Sequence, residues 1–463
     1  MSELIAQKLA TDPRVAEAKR LLLAAVAEQQ KHITGIRPAV ESLKSSYADT
    51  IRRFGEVRGG PLYYPYLGSG IGRGPLVELA DGSVKYDMIS GIGVHYQGHS
   101  HPALIEASID AAIHDTVMQG NLQQNEESVE VAQRLVGLAA RNGAPIKHCF
   151  LTTSGAMANE NALKLVLSKK SPASRILAFE HTFAGRTLVL SQITDKAAYR
   201  VGLPQVISVD YVPFFDAARP RESTQAALAT LKSHLARYPR QHAAMWIEQV
   251  LGEGGYYAAD RDFLVALLGV LKENGITVCL DEVQSFGRTT QPFCFQHFGL
   301  DKFVDIVTVG KLTQVCATLF SDEYTPPAGL ISQTFTGSTS ALFAARRILD
   351  LLVNGGYFGA EGKIIRLRER FIGHLQAIGA RHVGWVAGPY GLGAMIAMTP
   401  FDGSEAVVKK FLQRLFEAGV IGFIAGANPY RARFLMPIGA IADQDIDAVC
   451  AVIEKVLAEV APR

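Results

Sequence analysis

The chain has 463 residues, 48% of them hydrophobic, which at ~100–200 residues per domain is enough for two or three units around a large core. Lys and Arg number 46 against 44 Asp and Glu, so the net charge is only +2, and no global field exists to recruit nucleic acid or an anionic membrane. Five cysteines without a C-x-x-C fit neither a disulfide framework nor a zinc ribbon; they read as reduced thiols of a cytoplasmic protein whose partners are small molecules or a second copy of itself.

No run approaches the ~18 apolar residues of a membrane-spanning helix. "LLLAAVA" (Leu21 to Ala27) follows Glu3, Asp12 and Glu17 and so fails as the core of a signal peptide. Asp12-Pro13 followed by Val15, Ala18, Leu22, Ala25 and Val26 predicts instead a capped amphipathic helix with proline at its first position. Residues 1–60 are expected to form an N-terminal helical extension, broken by "GGPLYYPYLGSGIGRGP" (Gly59 to Pro75). Residues 61–110 are assigned to the N-terminal part of a smaller domain, 111–345 to a large domain and 346–463 to the C-terminal part of the smaller α+β domain. The glycines of "GSGIGRGP" and "GIGVHY" lack the G-x-G-x-x-G spacing of a dinucleotide loop, and Pro75 blocks the helix such a loop needs. His95, His99 and His101 are expected at a turn, and no metal is assigned to them.

Between about residues 145 and 320, the short apolar runs "HCFLTT", "RILAFE", "VISVDY", "AAMWIEQ", "ITVCLDE" and "DIVTVG" alternate with helix-like stretches. That pattern predicts an α/β fold with a mostly parallel central sheet covered by helices. Ligands in such sheets bind beyond the carboxyl ends of the strands, so the residues that follow each run carry the functional reading.

After the first run, Ser154-Gly155-Ala156 opens a helix whose backbone N–H groups suit a phosphate; taken alone, Ser154 is an ordinary N-cap. The second run leads to "EHTFAGRT", where Phe183 could support a planar cofactor and Arg186 could grip a carboxylate. The fourth ends in Glu248 and continues to Glu253, and the fifth ends in Asp281, Glu282 and Gln284. The sixth delivers Lys311, a strand-end lysine suited to Schiff-base chemistry. An anion nest, an aromatic, a buried carboxylate and a lysine together match the needs of pyridoxal 5′-phosphate (PLP).

These residues lie in ordered motifs: "DGSVKYDMISGIGVHYQGHSHP", "TTSGAMANENALK", "FAGRT", "IEQVLGEGG", "LDEVQSFGRT", "VDIVTVGK" and "TFTGS". From about Gly74 to the C-terminus the chain resembles the class III (omega) branch of fold-type-I PLP-dependent aminotransferases. The resemblance implies that Lys311 is the internal aldimine lysine and proton carrier, that Asp281 pairs with the pyridinium nitrogen and that Gln284 touches the phenolic oxygen. It places Ser154, Gly155 and Ala156 at the phosphate, Phe183 on the ring, Glu248 beside the cofactor, and Thr334 at the phosphate of a neighbouring subunit, hence a homodimer with active sites at its interface. Arg186 would receive a substrate carboxylate, Glu253 and Arg433 would form a switchable pair, and Tyr64 is counted with them among the substrate-binding residues.

The implied activity is transfer of an amino group from an amine or omega-amino acid to a 2-oxo acid such as 2-oxoglutarate or pyruvate, by a ping-pong mechanism through an internal aldimine. Aminomutases, racemases and decarboxylases on the same fold are the alternative. The chain departs from the pattern at Ala184, Gln249, Met157 and Ser338. After the lysine it reads "KLTQVC", which is similar to the lysine 6-aminotransferase-like branch. Glu282 and Arg288 are expected to be structural, bonded to nearby backbone or to each other.

Overall fold

Seven strands form the central sheet: β1 (Ile146–Thr152), β2 (Arg175–Phe179), β3 (Val209–Val212), β4 (His242–Ile247), β5 (Thr277–Asp281), β6 (Ile306–Val309) and β7 (Cys316–Ser321). The computed structural model describes residues 4–115, 117–120 and 122–462. Strand order is β1-β7-β6-β5-β4-β2-β3. β7 is antiparallel to both neighbours, whereas β2 to β6 run parallel to one another. All residues of β4, β5 and β6 are buried, which is why they read as unbroken apolar runs: helices cover both faces of the sheet. The helices Gly155–Lys170 and Arg261–Glu273 supply much of that cover through Leu163, Val166, Leu264 and Leu268.

The smaller domain is built from both ends of the chain. An antiparallel sheet of Val386–Leu392, Met395–Pro400, Tyr430–Leu435 and Phe423–Gly426 packs against the helices Lys363–Arg381 and Glu405–Glu417, and Asp443–Val460 packs in turn on both of those helices. A second sheet contains Gly68–Arg73, Leu76–Leu79 and Val84–Asp87, and Val420–Ile421 pairs in parallel with the last of these, in the register Val420 to Tyr86.

Pro13–Gln30 is the capped helix expected: Asp12 accepts from Arg14 N at 2.8 Å and proline stands at the first position. Its inward face differs from the expected one. Val15, Lys19, Leu23, Val26 and Gln30 turn toward the body of the protein, while Ala18, Leu22 and Ala25 are exposed. Polar anchors set this rotation. Lys19 Nζ reaches Asp110 at 2.9 Å, and Gln30 Nε2 donates to Gly72 O at 2.7 Å and Ser100 O at 2.9 Å. Further along, Arg37 pairs with Glu78 and Lys44–Arg58 forms another helix. Among the described residues no helix is long and apolar enough to cross a membrane.

Candidate active site

The carboxyl ends of β4, β5 and β6 meet the N-terminus of the helix Gly155–Lys170. Asp281, last residue of β5, is buried and held from two sides: Asn159 Nδ2 donates to Oδ2 at 2.6 Å and Val283 N to Oδ1 at 3.0 Å. Asn159 is itself fixed, donating to Ala184 O at 2.7 Å and accepting from Thr308 Oγ1 at 2.7 Å. Burial pushes the Asp281 carboxyl up to about 6, opposed by those hydrogen bonds and by the charge of Lys311. Glu248, just beyond β4, accepts from Phe183 N at 2.7 Å, Thr182 Oγ1 at 3.0 Å and Gly252 N at 3.0 Å. Burial and the nearby Asp281 push the Glu248 carboxyl up, against the hydrogen bonds from Phe183, Gly252 and Thr182.

Strand alternation divides the acid pair 281–282. Asp281 faces the cavity, and Glu282 points away to accept from Cys294 N at 2.6 Å, Phe295 N at 2.8 Å and Gln249 Nε2 at 3.1 Å. Arg288 is fully buried and donates to Gly93 O at 2.8 Å and Met436 O at 3.4 Å. Both residues thus bond to backbone, and not to each other.

Lys311 follows Gly310 at the end of β6 and adopts φ +55°, a left-handed conformation that a non-glycine residue holds only when its surroundings fix it. A Cβ on Gly310 would lie 2.7 Å from Cys316 Sγ, so a side chain there would have to displace the thiol. Burial lowers the Lys311 ammonium, Arg433 acts in the same direction, and Glu253 and Asp281 oppose it.

These groups line a cavity of about 350 Å³, within the ~300–1,000 Å³ of small-molecule sites. Of the residues expected from sequence, Gly155, Ala156, Phe183, Arg186, Glu248, Asp281, Gln284 and Lys311 line it. Glu253 and Arg433 form an ion pair at 2.6 Å with Gln284 beside it, donating from Nε2 to Glu253 Oε1 at 3.3 Å and accepting from Arg433 Nη1 at 3.4 Å. The Arg433 side chain has no exposure, and burial works against its charge; Glu253 outweighs that, so each partner holds the other ionised. Ser154 caps the helix, Oγ accepting from Met157 N at 3.2 Å, and stands just outside the cavity lining. Thr334 is exposed, and its backbone O accepts from Gly120 N at 3.1 Å.

Tyr64 does not line the cavity. Its ring stacks on Phe416 at 4.7 Å and its hydroxyl donates to Gly422 O at 3.0 Å, so one ring face and its polar tip are spent inside the smaller domain. Of the three histidines, His99 contacts Asp87 at 2.9 Å, His95 lies against the His99 ring, and His101 caps the helix Pro102–Ala112.

Asn159, Val283, Cys316 and Tyr199 were not singled out from the sequence. Asn159 could have been: it stands four residues after Gly155, and an i, i+4 pair shares one helix face, so a Gly155 turned to the cavity brings Asn159 with it. Val283 and Cys316 line the cavity as apolar neighbours of Gly155 and Gly310, and no spacing rule points to them.

The residues fit the cofactor implied by this arrangement. A Cβ on Gly155 would meet Val283 at 2.8 Å, so the first turn of the helix offers bare backbone N–H groups to the cavity, while a carboxylate and an amine converge from the strand ends.

The family described as Aminotransferase class-III matches over residues 70–457. The chain is 30% identical over 407 residues to acetylornithine aminotransferase of Methanocaldococcus jannaschii, covering 84% of this chain and 93% of that one. It is 29% identical over 392 residues to succinylornithine transaminase of Salmonella enteritidis, covering 81% and 88%. Among solved structures, the lysine aminotransferase from M. tuberculosis in its internal aldimine form superposes with a TM-score of 0.78 at 23% identity, covering 89% of this chain and all of that one. The chain belongs to the class-III aminotransferases, which use pyridoxal 5′-phosphate. The fold, the enzyme class and the cofactor expected from the ordered motifs are thereby borne out.

Proposed function

We propose that the chain moves an amino group from an amine or omega-amino acid to a 2-oxo acid such as 2-oxoglutarate or pyruvate in a ping-pong sequence of two half-reactions. The observation that carries this reading is the Glu253–Arg433 ion pair beside the lysine and aspartate of the cavity. A paired arginine presents no net charge to an amine, and one released from its partner can take a carboxylate bidentately, so a single site can serve two unlike substrates in turn.

Bound PLP supplies an electrophilic carbonyl carbon and a protonated ring that takes up the electron pair left when a C–H bond next to nitrogen breaks. The Lys311 amine, made easier to deprotonate by burial, carries the proton between the two carbons involved. Asp281 would keep the ring nitrogen protonated through an ion pair in a low-dielectric site, and Phe183 would supply an apolar surface for the ring. Gly155 and Ala156 hold phosphate through their N–H groups. Ser154 contributes by capping the same helix, Glu248 by fixing the Phe183 backbone, and Gln284, which lines the cavity, would donate to the ring oxygen. Arg186 receives the carboxylate of an amino-acid donor.

We place the working unit as a cytoplasmic homodimer in which the partner's Thr334 completes the phosphate site. The chain divides near residues 60, 110 and 345 into a helical extension, the smaller domain and the large domain. The "KLTQVC" run favours a lysine-type donor, and the relatives named for acylated ornithines share its chemistry, a terminal amine distant from a carboxylate.

Lys311→Ala tests the assignment directly. The variant should lose the visible absorption of lysine-bound cofactor and all turnover; an unchanged spectrum would overturn the role of Lys311. Incubation with donor alone should yield one carbonyl product per site, and carbon dioxide would point away from transamination.

A further inference from the structure

The two arginines of the site are held by opposite means. Arg433 has Glu253 as a counter-ion at 2.6 Å. Arg186 rests on a neutral residue: its Cζ lies 3.8 Å from the centre of the Tyr199 ring, and Nη2 donates to Tyr199 Oη at 2.9 Å. Among the described residues no carboxylate pairs with Arg186, which is exposed at the mouth of the cavity.

Tyr199 is well fixed for such a task. It ends the 3₁₀ turn Ala197–Tyr199, and its ring meets that of Phe183 edge-on, with centroids 6.4 Å apart at 87°. The segments around Arg186 and Tyr199 also clasp each other through Thr194, whose Oγ1 accepts from Ala184 N at 2.9 Å and Gly185 N at 3.2 Å. Arg200 Nη1 donates to Thr194 O at 2.7 Å and so braces the same turn. Tyr199 further lines a small chamber of about 80 Å³ that it shares with Phe183 and Glu253, and so stands between the two arginine systems.

A guanidinium has five N–H donors, and the Tyr199 hydroxyl occupies one. The ring face removes rotational freedom from the arginine without neutralising it, which an acidic partner would do. We propose that Tyr199 is a positioning residue that orients Arg186 toward the carboxylate of the amino donor while leaving its charge uncompensated. The site thereby favours amino acids whose reacting amine lies far from a carboxylate over diamines of the same length. This inference rests on the reading of Arg186 as the carboxylate receptor.

The test uses the PLP-loaded enzyme under single-turnover conditions, with L-ornithine and L-lysine set against 1,4-diaminobutane and 1,5-diaminopentane. The quantity read is the ratio of amino-acid to diamine efficiency. Tyr199→Phe, which keeps the ring and loses the acceptor, should lower that ratio ~3–10-fold. Tyr199→Ala, which loses both, should lower it ~10–100-fold, through the apparent dissociation constant more than the maximal rate. Added to Arg186→Ala, neither change should have further effect. Calorimetric binding of pentanoate to the holoenzyme gives the same comparison without turnover, and its dissociation constant should rise by a similar factor in Tyr199→Ala. Equal losses on both donor classes, or an unchanged pentanoate affinity, would overturn the inference. An Arg186→Ala enzyme with an unchanged ratio would overturn the underlying reading of Arg186 instead.

Discussion

The floor and the wall of the cavity are built on different principles. On the floor, at the ends of β4 and β5, both carboxylates are buried and tied by hydrogen bonds, Asp281 by Asn159 and Val283 and Glu248 by Thr182, Phe183 and Gly252, and Lys311 stands at the end of β6 on a backbone fixed in a left-handed conformation. On the wall, Arg186 is an exposed loop residue resting on a neutral ring, and Arg433 is buried against an acid it could exchange for another. A buried floor fixes protonation and geometry whatever the substrate, so it suits steps common to every donor. A wall whose charge can be offered or withdrawn suits the choice of substrate. The contrast predicts which substitutions act on all substrates and which act on some.

The largest effect belongs to the floor. Beyond the total loss expected for Lys311→Ala, Asp281→Ala should lower turnover on the order of 10³-fold for every donor and acceptor, because it removes the charge facing the ring nitrogen from a low-dielectric site. Steady-state rates with several donors check this. A loss confined to one donor would place Asp281 on the substrate side and break the comparison.

Arg433→Ala should be next in size and one-sided. The half-reaction with 2-oxoglutarate should fall ~10²-fold, with the larger part in the apparent affinity, while a diamine half-reaction should change by less than ~5-fold. Single-turnover measurements of each half-reaction separate the two. An equal loss in both would show the pair to be part of the floor.

The same contrast explains what could be read without a structure. The floor was legible because its rules are local: an apolar run of five or six residues marks a buried parallel strand, and the group that follows must lie at its carboxyl end. Asp281, Lys311, Gly155 and Phe183 were all found in this way. The partners that orient them come from elsewhere in the chain. Asn159 reaches Asp281 across 122 positions, and no local pattern encodes that contact. The wall was read only in part, since the stacking of Tyr199 on Arg186 depends on how a loop folds back through Thr194. Tyr64 shows the limit from the other side: a tyrosine in a glycine-rich break offers a polar tip, but Phe416 and Gly422, more than 350 positions away, decide where it points. The face of the helix Pro13–Gln30 was set by Lys19 and Gln30, polar residues that hydrophobic periodicity ignores.

Glu282 gives the finest test of the division, because it touches the floor from behind and should affect stability more than turnover. Its carboxyl is buried and pushed up to about 7 from an ordinary 4.5; the hydrogen bonds from Cys294 N and Phe295 N oppose that rise, and Asp281 adds to it. The folded state therefore binds this proton more tightly than the unfolded chain does. The resulting stabilisation is fully present below about 4.5 and is lost progressively as pH rises to about 7, by at most ~3 kcal/mol. Asp281 and Glu248 are raised in the same sense, so the stability of the wild type alone cannot isolate Glu282. The difference between Glu282→Gln and wild type can. The glutamine keeps an acceptor for the helix start Cys294–His297 but does not titrate, so its stability relative to wild type should improve steadily between about pH 5 and 7 and level off above. Denaturation midpoints at equal cofactor loading measure it, and kcat should stay within ~3-fold throughout. A difference that is flat with pH would mean that Glu282 is ionised in the folded protein, with the backbone hydrogen bonds outweighing burial.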